Sequence, residues 1–221
     1  MVARVVPADS VIGVDVGGTK TRAGRVGRDG SCARTREVPT PTDGPETFLA
    51  QLGALVEELV GEGVGAIGVG VPMTLDRTTG VALRANNLPL ESLDLLRILR
   101  DRFRLPVGLE NDGNATALAE WRLGAGRGAS DLVVLAIGTG VGGGLVLDGK
   151  LYRGWAELGH VVVDADGPPC QGNCDGRGHL EAVATGETAE QAAEELWGER
   201  DARRLLEEAR RGHAEARAAV E

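Results

Sequence analysis

Asp15-Val16-Gly17-Gly18-Thr19-Lys20 and, further along, Gly138-Thr139-Gly140-Val141-Gly142-Gly143-Gly144 are the two stretches on which the reading of this chain turns. Each follows a short apolar run, residues 11–14 and 132–137, and each returns to small and apolar residues, 21–26 and 145–147. Strand, glycine loop, strand is therefore read twice. Two such units at separate places in one chain argue for duplicated halves. In the first loop Gly17 and Gly18 let backbone N–H groups approach an anion, Thr19 adds a hydroxyl donor, Lys20 adds positive charge, and Asp15 is placed to hold magnesium or its water. Taken alone, that loop is equally a tight hairpin whose glycines serve only the turn. With Gly138, Thr139 and Gly140 in the second loop, the pair reads as a grip on a phosphate chain from both sides of a cleft. Neither loop has the Walker pattern or clean dinucleotide spacing.

Working outward, Phe48, Leu49, Leu52, Leu55, Val56, Leu59 and Val60 fall at helical spacing over residues 45–60, between Pro45 and Gly61. Residues 66–71 read as a buried strand ending at Pro72, 93–103 as a helix, 107–109 as a strand, and 114–123 as a helix closing on Gly124. The domain boundary is placed there, giving domains 1–124 and 125–221. Beyond Leu180 the chain is rich in Ala, Glu and Arg, which predicts two solvent-facing helices, 188–197 and 201–220, with Leu205, Leu206 and Ala209 to bury.

Glu110-Asn111-Asp112 stands between a strand and a helix, where a carboxylate can project into a cleft and take a hydroxyl proton. On local sequence Asn111 and Asp112 read equally as caps of the following helix. Farther on, His160, Cys170, Cys174 and His179 are spaced His-x9-Cys-x3-Cys-x4-His. Thiolates with imidazoles suit tetrahedral zinc, and four protein ligands close the site, making it structural. The glycines and prolines between them build no sizeable core, so a metal staple has a purpose there. Glu157, just ahead of His160, reads as an acceptor for ligand hydroxyls or as a plain surface acid.

A formal charge of −9 argues against a nucleic-acid partner. No apolar run approaches the roughly 20 residues that span a bilayer, and the first residues lack the layout of a secretory leader. No membrane partner and a cytoplasmic location are expected. Three cysteines, Cys32, Cys170 and Cys174, are too few for a disulfide framework and read as reduced thiols.

These motifs, in this order, resemble the ROK family (repressor, open reading frame, kinase). The resemblance runs from Val11 to about Gly186 and rests on residues 15–20, 110–114, 138–144, 157–160 and the cysteine segment ending in Gly178-His179-Leu180-Glu181. It implies an α/β fold of duplicated ribonuclease-H-like domains, as in hexokinase and actin, with a hexose and ATP bound in the interdomain cleft. By resemblance Asp112 is the general base on a sugar hydroxyl, and Asn87, Asn111, Glu157, His160 and Glu181 hold the sugar. Asp15, Gly18, Thr19, Thr139 and Gly140 match the phosphate side, with Mg2+ on ATP and a structural Zn2+. His179 stands where many members carry a further cysteine.

Relatives continue past the equivalent of Glu221, which gives the expectation of an incomplete second domain with part of a core uncovered. Two functional classes follow. One is a hexose kinase, glucose first, with fructose or N-acetylmannosamine as alternatives; the other is a sugar-binding protein with little turnover. The residues ahead of Asp15 are too few for the DNA-binding region of the family's repressors, and a homodimer is a possible assembly.

Overall fold

Strands that alternate large aliphatic residues with glycine separate the two faces of a sheet, and this alternation organises the first part of the chain. The computed structural model describes residues 9–76, 81–85, 88–91, 93–138, 140–154, 156–170 and 174–220. It divides into two compact units, Met1–Gly128 and Ala129–Glu221. No helix among the described residues is long and apolar enough to cross a membrane.

The first unit runs β1 (Ser10–Val16), β2 (Lys20–Gly27), β3 (Cys32–Pro39), α1 (Pro45–Glu57), β4 (Val64–Val71), β5 (Met73–Leu75), β6 (Ala82–Ala85), α2 (Leu95–Phe103), β7 (Val107–Asn111) and α3 (Asp112–Arg122). Its main sheet has the order β3-β2-β1-β4-β7, antiparallel across the first three strands and parallel from β1 to β7. Ile12, Val14 and Val16 of β1 and Ile67, Val69 and Val71 of β4 are buried in one core with Phe48, Leu52, Leu55, Val56 and Leu59 from α1 and its end, and with Leu95 and Leu99 of α2. Burying each such side chain is worth roughly 1.5–3 kcal/mol. Gly13, Asp15, Gly68, Gly70 and Glu110 fall on the opposite parity. A Cβ on Gly70 would lie 3.5 Å from Ala115 Cβ and 3.8 Å from Asp112 Cα, so α3 rests directly on this face. The register pairs Asp15 with Gly70 and Gly70 with Glu110, which sets the strand ends in one row.

The second unit contains β8 (Leu132–Ile137), β9 (Val141–Leu147), β10 (Lys150–Leu151), a single 3-10 turn (Leu158–His160), α4 (Leu180–Val183), α5 (Gly186–Trp197), α6 (Ala202–Arg211) and α7 (Ala214–Val220). β8, β9 and β10 form an antiparallel sheet in the order β10-β9-β8. β8 leaves Val133, Leu135 and Ile137 exposed on one side.

Several elements differ from the sequence expectation. The second glycine run is only partly a loop, because Gly142, Gly143 and Gly144 lie in β9. β3 was not anticipated; its residues are almost all exposed, so it lacks the apolar alternation that marks a strand. The expected helix over 201–220 is broken at Gly212, whose φ of 94° ends α6 before α7 begins. Nor are these helices simply solvent-facing: Ala193, Leu205, Ala209 and Ala216 bury one another, with Leu196 and Trp197 packed alongside, while Leu206 stays exposed.

Leu205 is the one large side chain fully buried in that cluster. Leu205→Ala is expected to cost about 2–5 kcal/mol, seen as faster amide exchange across α5–α7 with the first unit's sheet unchanged.

Candidate active site

The first loop is held from below by two buried threonines. Thr40 donates its hydroxyl to the Gly17 carbonyl at 2.8 Å and its N–H to the Thr19 carbonyl at 2.9 Å. Thr21 Oγ1 lies 2.9 Å from Thr40 Oγ1. Since the Thr40 proton is committed to Gly17, Thr21 is the donor in that pair. Gly17 N–H closes the hairpin on the Lys20 carbonyl at 2.9 Å. The carbonyls of Gly17 and Thr19 are thereby tied inward, which favours an anion approaching from outside. Thr40 was not foreseen, because it arrives with β3. Lys20 is engaged sideways, with Nζ 2.8 Å from Glu37 Oε1. Hydrogen bonds from Lys20, then Arg22, hold the Glu37 carboxyl below its ordinary value. An exposed pair of this kind is weak and does not commit Lys20.

Asp15 ends β1 and Asp112 opens α3 on the same face. Asn111 is the N-cap of α3, its Oδ1 accepting from Asn114 N–H at 3.1 Å. The cap is therefore Asn111 alone, and Asp112 is left with its Oδ1 accepting from Gly113 N–H at 2.9 Å. Burial pushes the Asp112 carboxyl above its ordinary value; the Gly113 N–H opposes that, and the Asp15 carboxylate adds to it. Below them Glu110 Oε1 accepts from Asn111 N–H at 3.1 Å and from the buried Asn114 Nδ2 at 3.2 Å. This pair fixes the strand-to-helix corner that carries Asp112. Asn114 gives no signal in sequence beyond its place in the motif.

In the second unit the four expected metal ligands come together. His160 Nδ1 and His179 Nδ1 are 3.2 Å apart, Cys170 Sγ is 3.7 Å from His160 Nδ1, and Cys174 Sγ is 3.6 Å from His179 Nδ1. All four ligand atoms lie within 4.8 Å of one another. Metal–N bonds of about 2.0 Å and metal–S bonds of about 2.3 Å in a tetrahedron require N···N of about 3.3 Å and N···S of about 3.5 Å. The donor set, and the three spacings measured, suit a tetrahedral ion. The segment is shaped by Gly178, at φ 61°, where a Cβ would fall 1.5 Å from the Asp164 carbonyl, so only glycine fits. Gly178 also accepts from Val163 N–H and Asp164 N–H at 2.8 and 3.1 Å.

Beside the metal cluster, Glu181 Oε2 accepts from Val141 N–H at 2.9 Å. Gly138 and Gly140 form the β8–β9 turn, closed by Gly138 N–H on the Gly140 carbonyl at 2.9 Å. Glu157 is exposed ahead of the 3-10 turn. The expected sites Asn87 and Thr139 lie outside the described residues. Within the first unit Asp15, Gly17, Gly18, Thr19, Lys20, Asn111 and Asp112 all belong to the strand ends and their turns. Within the second, Gly138, Gly140, Glu181 and the four metal candidates adjoin.

Residues 11–221 match the ROK family. A glucokinase of Thermotoga maritima is 41% identical over 187 residues, which is 81% of this chain and 58% of that protein. An N-acetylmannosamine kinase of Shigella flexneri is 33% identical over 213 residues, 94% of this chain and 72% of that protein. Among solved structures, a ROK family glucokinase from Streptomyces griseus in complex with glucose and AMPPNP matches with a TM-score of 0.77 at 33% identity, over 95% of this chain and 74% of that one. The chain spans little more than half the length of the Thermotoga glucokinase.

The raised Asp112 pKa makes a stability prediction that does not depend on function. Unfolded, an aspartate titrates near pH 3.9; folded, Asp112 titrates higher, so between the two values the native state binds more protons and stability falls as pH rises. Asp112→Asn removes this cost. Its melting temperature is expected to exceed that of the parent at pH 7, with the gap closing as pH is lowered towards 4, measured by thermal unfolding across that range.

Proposed function

The chain belongs to the ROK family, and on that premise we propose that it carries the sugar- and phosphate-binding machinery of an ATP-dependent hexose kinase, converting glucose to glucose 6-phosphate. The observation that carries the reading is Asp112. It is partly buried, raised in pKa, relieved of capping by Asn111, and set beside Asp15 at the ends of parallel strands, which is where α/β sheets place their ligands. The hairpins β1–β2 and β8–β9, each turning at glycine, support duplicated ribonuclease-H-like halves, 1–124 and 125–221.

In the reaction, Asp112 takes the proton of the sugar 6-hydroxyl as its oxygen bonds to the γ-phosphorus of ATP, the bond to the β–γ bridging oxygen breaks, and ADP leaves. By resemblance Gly17, Gly18 and Thr19 in the first unit, and Gly138, Thr139 and Gly140 in the second, are phosphate-side residues, and in the first unit Lys20 exchanges Glu37 for phosphate. Mg2+, when bound with ATP, neutralises phosphate charge, and Asp15 is the residue placed to hold it or its water. His160, Cys170, Cys174 and His179 hold a structural Zn2+.

The hydrogen bonds already made decide what each sugar residue has left to offer. Asn111 spends its oxygen on the cap, and its Nδ2 reaches the Met73 carbonyl only at 3.5 Å, so that amide group is the donor for a hydroxyl. Glu181 spends Oε2 on Val141 and keeps Oε1 as an acceptor. His160 turns Nδ1 to the metal cluster and keeps Nε2–H as a donor whose direction the metal fixes. Asn87 and Glu157 complete the sugar side by resemblance. The Shigella relative, an N-acetylmannosamine kinase, supports a second reading in which the sugar is N-acetylated.

ADP release from Mg-ATP with a panel of hexoses tests both readings. Glucose is expected to give the highest kcat/KM; a preference for N-acetylmannosamine establishes the second reading. Asp112→Asn should lower kcat by about 10²–10⁴ with little change in the KM for sugar, and the parent's rate should fall in acid at a pH above the ordinary carboxylate range. No turnover with any hexose in the panel counts against the kinase reading.

Gly18→Ala separates phosphate binding from folding. Nothing lies within 4 Å of the added Cβ, so the melting temperature should hold while the KM for ATP rises; an unchanged KM counts against the loop as a phosphate grip. One zinc per chain is expected by metal analysis, and Cys174→Ser should lower both the zinc content and the melting temperature.

A further inference from the structure

Val141 is the point on which separate segments of the second unit converge. Its N–H donates to Glu181 Oε2 at 2.9 Å. Its carbonyl is approached so closely by the 3-10 turn that a Cβ on Gly159 would sit 2.2 Å from it. Both contacting residues adjoin metal candidates: Gly159 immediately precedes His160, and Glu181 follows His179 by two positions. The histidines face each other with Nδ1 atoms 3.2 Å apart. Leu180 N–H donates to the Val161 carbonyl at 2.9 Å, so the chain after the 3-10 turn and the start of α4 are joined on the same side. The 138–140 turn leads directly into Val141 and is tied once more beyond α4, where Gly186 N–H donates to the Gly138 carbonyl at 2.8 Å.

We propose that Gly159 and Glu181 are the two arms of a clamp on Val141, and that the His160–Cys170–Cys174–His179 seat is its hinge, so that metal occupancy sets the order of Val141 at the start of β9. In this arrangement Glu181 is a positioning residue for the turn, a role separate from any contact of its Oε1 with sugar. The physical cause is local. Without an ion these nitrogens and sulfurs are joined only by hydrogen bonds whose direction depends on the histidine tautomer, and an ion at their centre would replace those with four stronger, directional bonds. When the seat is empty the arms are free to part, Val141 N–H loses its acceptor, and the start of β9 gains conformational freedom that a bound anion must then remove. Metal and anion are therefore coupled without touching. The functional meaning of the coupling rests on the reading of the turn as a phosphate grip.

The test is residue-resolved amide exchange on the 221-residue chain, zinc-loaded and chelated. Removing zinc is expected to speed exchange at Val141 by about tenfold or more, while the β1 and β4 amides of the first unit hold. Glu181→Ala should do the same with zinc still bound, and Glu181→Gln, which keeps an acceptor oxygen, should recover part of the protection. In Gly140→Ala the added Cβ would lie 2.5 Å from Glu181 Oε2 and evict it, so this change should match Glu181→Ala. The double variant should then show no further effect, the signature of a shared contact. Val141 exchange that ignores zinc, or that ignores Glu181→Ala with zinc content unchanged, overturns the clamp. Titration with AMPPNP separates this from the reading beneath it: exchange behaving as expected without AMPPNP binding upholds the clamp and removes the phosphate role. AMPPNP binding that weakens on zinc removal and in Glu181→Ala upholds both.

Discussion

The parallel register of β1, β4 and β7 is the constraint on which the first site depends. A slip of one residue would turn Ile12, Val14 and Val16 out of the core and bring Gly13 and Asp15 in, at a cost of several buried aliphatic side chains. The apolar face therefore fixes the register, and the register places Asp15, Gly70 and Glu110 in line on the other face. Gly70, without a side chain, lets the start of α3 settle against the sheet, and Asp112 comes with it. The chemistry of the site is a by-product of how the core packs. Its one cost, a carboxyl raised in pKa by burial, falls on Asp112, the residue proposed as the base.

The two units reach order by different means. The first has a continuous aliphatic core drawn from sheet and helices. The second has a small cluster in which Leu205 is the only large buried aliphatic side chain, the rest being alanines. Its described residues between 156 and 179 contribute glycines, prolines and exposed Val161, Val162 and Val163, so backbone hydrogen bonds and the contacts among the four metal candidates are what shape it. A tetrahedral ion suits such a place, because it supplies directional bonds where apolar area is lacking.

Much of this was legible in sequence because it depends on local composition. Glycine after a short aliphatic run marked both hairpins, spacing marked α1, and the rarity of Cys and His made their clustering conspicuous. The parts that escaped depend on partners distant in sequence. β3 is a strand because β2 pairs with it, its Arg and Glu side chains fitting an exposed edge, and Thr40 reaches the loop only through that pairing. Gly142–Gly144 read as loop by composition, yet they pair along β8; a Cβ on Gly143 would meet the Val134 carbonyl at 2.2 Å, which is why glycine stands in a strand. Asn111 and Asp112 were indistinguishable as caps until the backbone showed which one accepts from Asn114.

β8 carries a consequence for anyone who handles this chain. Among the described residues it is the last strand of its sheet, and Val133, Leu135 and Ile137 stand along one side at 63%, 46% and 62% exposure. An edge of alternating β-branched and aliphatic residues invites another strand to add to it. The net charge of −9 opposes such pairing, and that repulsion reaches about 10 Å at 0.1 M salt and about 3 Å at 1 M. Pairing of copies through this edge should therefore rise with ionic strength. Precipitating with salt, a routine step for an acidic protein, removes the barrier that protects this edge.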